Sequence, residues 1–247
     1  MKISIITAVY NGGAAIAATL QSVAQQDHRS IEHILVDGGS TDCTLTTVQK
    51  NSARVARLIS EPDNGVYDAF NKGLRAATGD VIAFLNCGDD YTSTGVVSRM
   101  AELLSAGDIQ AAFADVLIVD SRDSNRVIRR YSSKKFSPGK MAYGLMPAHP
   151  SLFMRRRVYE RIGEYDSSFR IAGDFELCLR AFLRASAKYR YLEEATVRMP
   201  GGGLSNRGWR SKWMITREMQ RACAMNQVNT NLAKLCMRFP LKLLEMV

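Results

Sequence analysis

The sequence predicts an α/β fold, a mainly parallel sheet with helices on both faces and a helical C-terminal tail. Three observations carry this. Short apolar, β-branched runs alternate with segments of helical spacing through the first hundred residues. The run at 81–85 (VIAFL) is apolar without a break, as a strand buried on both faces requires. A chain of 247 residues, 46% hydrophobic and 23% charged, can bury a large core, which excludes a disordered chain or a rod.

The elements follow in order. Residues 2–9 (KISIITAV) predict the first strand and 14–24 the first helix. A strand at 31–36 (IEHILV), a helix at 41–50 and a third strand at 55–59 come next. Residues 66–77 have helical periodicity and stop before Gly79; after the strand at 81–85, 94–105 is again helical. Such alternation implies crossover connections and parallel pairing. In sheets of this kind ligands bind beyond the carboxyl ends of the strands, so the residues just after each strand are the candidates for function.

The second half is less regular. Strands are expected at 111–119 and 127–131 around a polar turn at 120–125, with a rigid loop at 147–150 before 151–154. An amphipathic helix at 175–187, a glycine break at 201–203 and a helix from 209 complete it. The one plausible linker, 200–208, divides the chain into a domain over 1–204, with halves 1–110 and 111–204, and a basic tail over 205–247.

The formal net charge is +9, distributed unevenly: residues 1–100 carry −2 and 205–247 carry +6. A basic tail suits an anionic partner. The acidic first hundred residues and the lack of an aromatic–basic stacking pattern count against nucleic acid. Trp209, Trp213, Met214, Met219 and Met225 among basic residues suit a helix on an anionic membrane surface; the competing reading is a helix packed on the domain with a solvated basic face. No run approaches the ~18–20 apolar residues that span a bilayer. The N-terminal run lacks a cleavage site, and five cysteines without C-x-x-C spacing read as reduced thiols. The expected location is cytoplasmic, peripheral on the inner face of the cell membrane where the tail binds.

The chemistry sits at strand ends. Asp37 follows the second strand in VDGGSTD, and Asp42 there reads as a cap for the next helix. Asp89 and Asp90 follow the fourth strand in NCGDDY; adjacent carboxylates repel unless a cation or donors stabilise them. Hard cations such as Mg²⁺ or Mn²⁺ take this kind of ligand together with substrate phosphates. Within SEPDNGVYDAFNKG, Pro62–Gly65 is turn chemistry, and Asp68 with Lys72 is an i,i+4 pair that either stands on the surface or faces the crevice. Asp174 opens a helix after Ala172-Gly173, as an N-cap or as a general base. His149 lies between prolines in a rigid loop, where it is structural or functional; Cys87 reads as a small loop residue. No H-E-x-x-H, G-x-S-x-G, P-loop or G-x-G-x-x-G spacing occurs.

Taken together these residues resemble family 2 glycosyltransferases, whose GT-A fold is a Rossmann-like sandwich. The resemblance rests on Val9-Tyr10-Asn11 after the first strand, the Val36–Asp42 turn, Asp68 with Asn71-Lys72-Gly73, the Asn86–Asp90 loop and Ala172-Gly173-Asp174, in the family's order over residues 1–180. Residues 60–73 and 85–90 look most like bacterial enzymes adding single sugars to exopolysaccharides such as colanic acid. The resemblance implies a nucleotide-sugar donor of UDP or GDP type and a divalent cation, Mn²⁺ or Mg²⁺. The acceptor would be a saccharide, in particular a lipid-linked one. Thr7, Val9, Tyr10, Asn11, Asp68, Lys72 and Asn86 would line the donor pocket; Asp37 would bind the base. Asp89 would lie near ribose and sugar, Asp90 would ligate the metal, and Asp174 would be the catalytic base. His149 would sit at the donor–acceptor junction, and basic residues of 201–210 would close over the phosphates. Two positions depart from the family pattern: Asn86 stands where the acidic loop commonly begins with Asp, and Gly173 stands where the base commonly has an acidic neighbour. The Gln-x-x-Arg-Trp motif of processive synthases is absent, which implies one sugar per binding event. A sugar-nucleotide nucleotidyltransferase and a non-catalytic nucleotide-binding module are the competing readings. The first would consume a nucleoside triphosphate and a sugar phosphate, and the second would turn over nothing.

Overall fold

A computed structural model describes residues 1–202 and 208–239. The first half alternates as expected: β1 (Ile3–Val9), α1 (Ala15–Ala24), β2 (Ile31–Asp37), α2 (Thr44–Lys50), β3 (Val55–Ser60), α3 (Val66–Ala76) and β4 (Val81–Phe84). Then come β5 (Asp90–Tyr91), α4 (Val96–Ser105), β6 (Ala111–Val119), β7 (Val127–Tyr131), β8 (Phe153–Arg155) and α5 (Arg156–Ile162). The chain closes with α6 (Gly173–Leu179), β9 (Tyr189–Pro200), α7 (Gly208–Met225) and α8 (Leu232–Cys236). A π-helical turn, Arg180–Arg184, extends α6, and 3-10 turns occupy Pro138–Tyr143 and His149–Ser151.

One sheet runs β3-β2-β1-β4-β8-β6-β9-β5, with β7 added beside β6. The β3-β2-β1-β4 block is parallel. Among the described residues of the second half only β6 and β9 pair in parallel; β8, β7 and β5 join antiparallel. The parallel expectation therefore holds for the first half, and the second is mixed.

Period-two alternation explains the layering. On β4, Val81 and Ala83 pack on one side with Ile3, Ile5 and α4 residues such as Val97 and Met100. Ile82 and Phe84 pack on the other with Ile6, Phe70 and Phe175. That second cluster also contains Met219, Ala222, Cys223 and Leu235, so α7 and α8 share the core of the sheet. The 204/205 boundary expected from sequence falls in residues 203–207, outside the described residues. Among the described residues no helix is long and apolar enough to cross a membrane.

Gly73 sits where α3 crosses β1. A Cβ there would collide with Ile6 Cγ2 and approach Val36 Cγ2 to 3.3 Å. Overpacking costs ~1–3 kcal/mol, against about 1 kcal/mol of helix propensity gained on leaving glycine. Gly73→Ala should therefore lower stability by up to about 2 kcal/mol in a denaturant titration; a raised midpoint would contradict the close approach.

Candidate active site

The carboxyl ends of β1, β2, β3 and β4 meet on one side of the sheet, and short hydrogen bonds join their loops. Asn11 takes a positive φ of 48° at the end of β1, a conformation asparagine tolerates. Its N–H donates to Ser40 Oγ (2.8 Å), and its Oδ1 accepts from the Thr41 N–H (2.9 Å). Asp37 is buried at the end of β2; its carboxylate accepts from the Ser40 N–H (3.2 Å) and from Ser60 Oγ (2.7 Å). Gly38 lies against the Asp63 carboxylate, where a Cβ would collide. Asp63 Oδ1 in turn accepts from the Gly65 N–H, and Asp68 accepts from the Asn64 N–H (3.0 Å). Lys72 donates to Pro62 O (2.7 Å) and pairs with Glu61 at 3.0 Å. Asp68 and Lys72 thus brace the turn after β3, beside Asp37.

Tyr10 is exposed, whereas Val9 is buried in a core cluster with Ile16, Leu20, Leu35 and Val48. Thr7 is placed differently from its neighbours. It is buried within β1, and its hydroxyl shares a 3.0 Å hydrogen bond with His33 Nε2. Asp42 does not cap α2: the cap position is Cys43, and the Asp42 carboxylate instead closes a local turn by accepting from the Thr44 N–H (2.9 Å), because the helix starts three residues later than expected.

After β4 the chain turns through Asn86–Asp90. Thr19 of α1 holds this turn: its hydroxyl accepts from the Gly88 N–H (2.9 Å) and donates to Asp89 O (2.8 Å). The two aspartates have different surroundings. Asp90 pairs with Arg198 of β9, which donates through Nε (2.8 Å) and Nη2. Asp89 is buried, and burial, reinforced by the Asp90 charge, pushes its carboxyl well above the usual range. Among the described residues, Asp89 Oδ2 and Asn86 Oδ1 are buried without a hydrogen-bond partner. Two unpartnered oxygens in one turn are a donor set suited to a hard cation. No group of three His, Cys, Asp or Glu side chains that could hold a metal ion occurs among the described residues. Burial raises the Cys87 thiol to about 11, which keeps it protonated at neutral pH.

Asp174 lies in the first turn of α6, half-buried, with Oδ1 accepting from the Phe175 N–H (2.8 Å). Burial raises its carboxyl to about 6. Tyr67, at the start of α3, donates its hydroxyl to Ile171 O. That contact brings Asp174 to the end of the sheet where β3 delivers its loop. Gly173 lies flat on the Tyr67 ring, where a Cβ would come within 2.8 Å of Cε2. This explains the missing acidic neighbour of Asp174: no side chain fits.

His149 is buried in an aromatic cluster. Its Nε2 shares a 2.8 Å hydrogen bond with the Tyr165 hydroxyl, and its ring stacks on Phe70 at 5.8 Å. Burial lowers its pKa to about 4. Asn71 holds the Tyr165 backbone from both sides, donating to its O and accepting from its N–H, each at 2.8 Å. Residues 203–207 and the side chains of 208–210, which include the basic loop expected over the phosphates, lie outside the described residues. Two surface depressions, one beside Arg157, Arg161 and Lys188 and one beside Phe182 and Tyr189, lie at the opposite end of the sheet.

The model of glycosyl transferase family 2 matches residues 4–163, from β1 through α5. The chain belongs to glycosyl transferase family 2. The transferase is 31% identical over 208 residues to a PGL/p-HBAD biosynthesis glycosyltransferase of Mycobacterium bovis (strain BCG / Pasteur 1173P2), covering 82% of this chain and 78% of that one. It superposes with a TM-score of 0.71 on S. aureus TarS 1-349 in complex with UDP-GlcNAc, at 19% identity, covering 95% of this chain and 70% of that one. It spans 41% of the longer TarS chain. The mannosyltransferase PcManGT from Pyrobaculum calidifontis, in complex with GDP-Man and Mn²⁺, gives a TM-score of 0.66 at 20% identity, covering 93% of this chain and 65% of that one. At these identities the likeness is one of fold, and it bears out the GT-A expectation. The family match includes Asp37, Asp89 and Asp90 and ends ahead of Asp174.

Sequence reading missed Thr19, Ser60, Tyr67 and Arg198. Thr19 carried a signal, a polar residue on the buried stripe Ile16, Leu20, Val23 of α1. Arg198 had none, because β9 lacks clean alternation.

A histidine whose pKa is lower in the fold than in the unfolded chain contributes stability above the unfolded value, ~6.5, and loses it as pH falls toward 4. Between pH 7 and 5 His149 should account for about 2 kcal/mol of lost stability. His149→Phe should shrink the acid-induced loss by that amount in melts at the two pH values; equal losses in both proteins would contradict the buried neutral ring.

Proposed function

We propose that this transferase moves one sugar from a nucleoside-diphosphate sugar to a hydroxyl of a saccharide acceptor, lipid-linked, in bacterial surface-polysaccharide synthesis, with inversion at the anomeric carbon. The observation that carries the reading is Asp174. Burial pushes its half-buried carboxyl up to about 6, and the contacts of Ile171 and Gly173 with Tyr67 set it against the start of α3, the helix that follows β3. A general base works best when its pKa is near the working pH.

The donor would lie across the strand ends, its nucleoside against Val9–Asn11 and the Asp37 turn, its diphosphate at Asn86–Asp90. A divalent cation there would take Asp89 Oδ2 and Asn86 Oδ1 as ligands, and Asp90 once it releases Arg198. When bound, the cation neutralises charge on the diphosphate. Asp174 accepts the proton of the acceptor hydroxyl as its oxygen bonds to the anomeric carbon and the bond to the diphosphate oxygen breaks. The nucleoside diphosphate then departs with the electron pair. One displacement inverts the centre. Relatives in complex with UDP-GlcNAc or with GDP-Man and Mn²⁺ support a nucleotide-sugar donor.

For the tail, exposed Trp213 and Met237, with Tyr143 beside Lys234 at 5.9 Å, support contact with an anionic lipid surface. Trp213→Ala should weaken co-sedimentation with phosphatidylglycerol-containing vesicles. Equal pelleting of both proteins, or equal pelleting with purely phosphatidylcholine vesicles, would contradict it.

Nucleoside diphosphate release from UDP-GlcNAc and GDP-Man tests the reaction. Only deprotonated Asp174 can take a proton, so kcat/KM should rise with pH through about 6. Asp174→Asn should lower turnover by ~10²–10⁴ while donor binding is kept. Wild-type turnover in that variant would remove Asp174 from the reaction.

A further inference from the structure

The segment leading into α6 carries three consecutive backbone N–H groups that no helix or strand uses, and one side chain takes all three. Glu218 of α7 accepts from the Arg170 N–H through Oε1 (2.9 Å) and from the Ile171 and Ala172 N–H groups through Oε2 (2.9 and 2.8 Å). The Ile171 carbonyl receives the Tyr67 hydroxyl from the other side. Both polar groups of Ile171 are therefore held, one by α3 and one by α7. One turn along α7, Arg221 donates to Ser168 Oγ (2.5 Å) and lies over the Phe169 ring at 4.4 Å. The helix thus grips residues 168–172, just ahead of Asp174. Hydrogen bonds to an ionised carboxylate are shorter and stronger than neutral ones, and a misplacement of about 1 Å can cost a catalyst ~10²-fold.

We propose that Glu218 is a positioning residue for Asp174: by fixing the 170–172 backbone against Tyr67 it sets where the Asp174 carboxylate meets the acceptor hydroxyl. The inference rests on the reading of Asp174 as the base. It makes α7 a working part of the site rather than a tail behind it. The ionisable groups acting on Asp174 are Tyr67 from α3 and Glu218 from α7, while its own charge raises Tyr165, in the loop before α6, and Cys178 on α6. The Glu218 charge adds to burial in raising the Asp174 carboxyl.

The test is Glu218→Gln in the full chain. The amide nitrogen cannot accept, so at least one of the three bonds is lost, and the charge is removed. Hydrogen–deuterium exchange over 168–175 should speed by about tenfold or more. Nucleoside diphosphate release from UDP-GlcNAc or GDP-Man, whichever donor turns over, should fall in kcat by ~10–10²-fold at unchanged donor KM. The acid limb of the pH profile should move to lower pH. Asn226→Ala is the control: it removes a contact made just after α7, the 3.1 Å bond to Glu176, and should lower the melting temperature while leaving the acid limb in place. Wild-type exchange and kcat in Glu218→Gln would overturn the proposal. So would Asn226→Ala reproducing every effect, since Glu218 would then only dock a helix. Asp174→Asn separates the premise: wild-type turnover there sinks the base itself, whereas an inactive Asp174→Asn with a fully active Glu218→Gln sinks the clamp alone.

Discussion

Carboxylates gathered at the ends of parallel strands repel one another and resist burial, and each must be compensated separately. Asp37 is compensated by the Ser40 N–H and the Ser60 hydroxyl, and Asp90 by Arg198. Asp89, buried beside Asp90, has one oxygen with no partner among the described residues. An uncompensated buried carboxylate is costly in a resting fold. It sits at the point where β4 delivers its loop toward Arg198 of β9, and Thr19 holds the backbone of that loop at Gly88 and Asp89. The cleft is organised around that tension.

The remaining framework keeps the strand ends in register. β4 is buried on both faces, so it fixes the helical layers on each side at once, and β8 and β6 extend its sheet into the second half. The aromatic cluster of Tyr67, Phe70, Phe84, His149 and Tyr165 lies between α3 and the loop before α6. His149 belongs to this packing, its ring nitrogen engaged by Tyr165. Asn71 and Gly73 have structural reasons of their own, one holding the Tyr165 backbone and the other letting α3 approach β1.

Most of the first half could be read from sequence because it obeys simple periods. β1, β2, β3, α3 and β4 fall within a residue or two of their expected limits, and β6 and β7 match theirs. What escaped was short or irregular. β5 is two residues long, too short for any period, and β9, with Glu193, Glu194 and Arg198 along a half-exposed edge, reads as neither strand nor helix. The end of the 175–187 helix escaped because α6 passes into a π-turn at Arg180. At the site, residue types were readable and their partners were not. The motif NCGDD marks two acids, but which one is neutralised depends on an arginine 108 positions away in the chain. The absence of a side chain at Gly173 likewise makes sense only once the Tyr67 ring lies against it.

The central claim is that the strand ends hold a nucleoside diphosphate with a divalent cation on Asp89. Thermal melting with UDP and GDP, each with and without Mn²⁺, in wild type and Asp89→Asn, tests it most directly. At about 100 times its dissociation constant a ligand stabilises the fold by ~2.7 kcal/mol, a readily measured shift. The account predicts a Mn²⁺-dependent rise with one of the nucleotides that Asp89→Asn abolishes. No rise with either nucleotide, or a full Mn²⁺-dependent rise in Asp89→Asn, would contradict it.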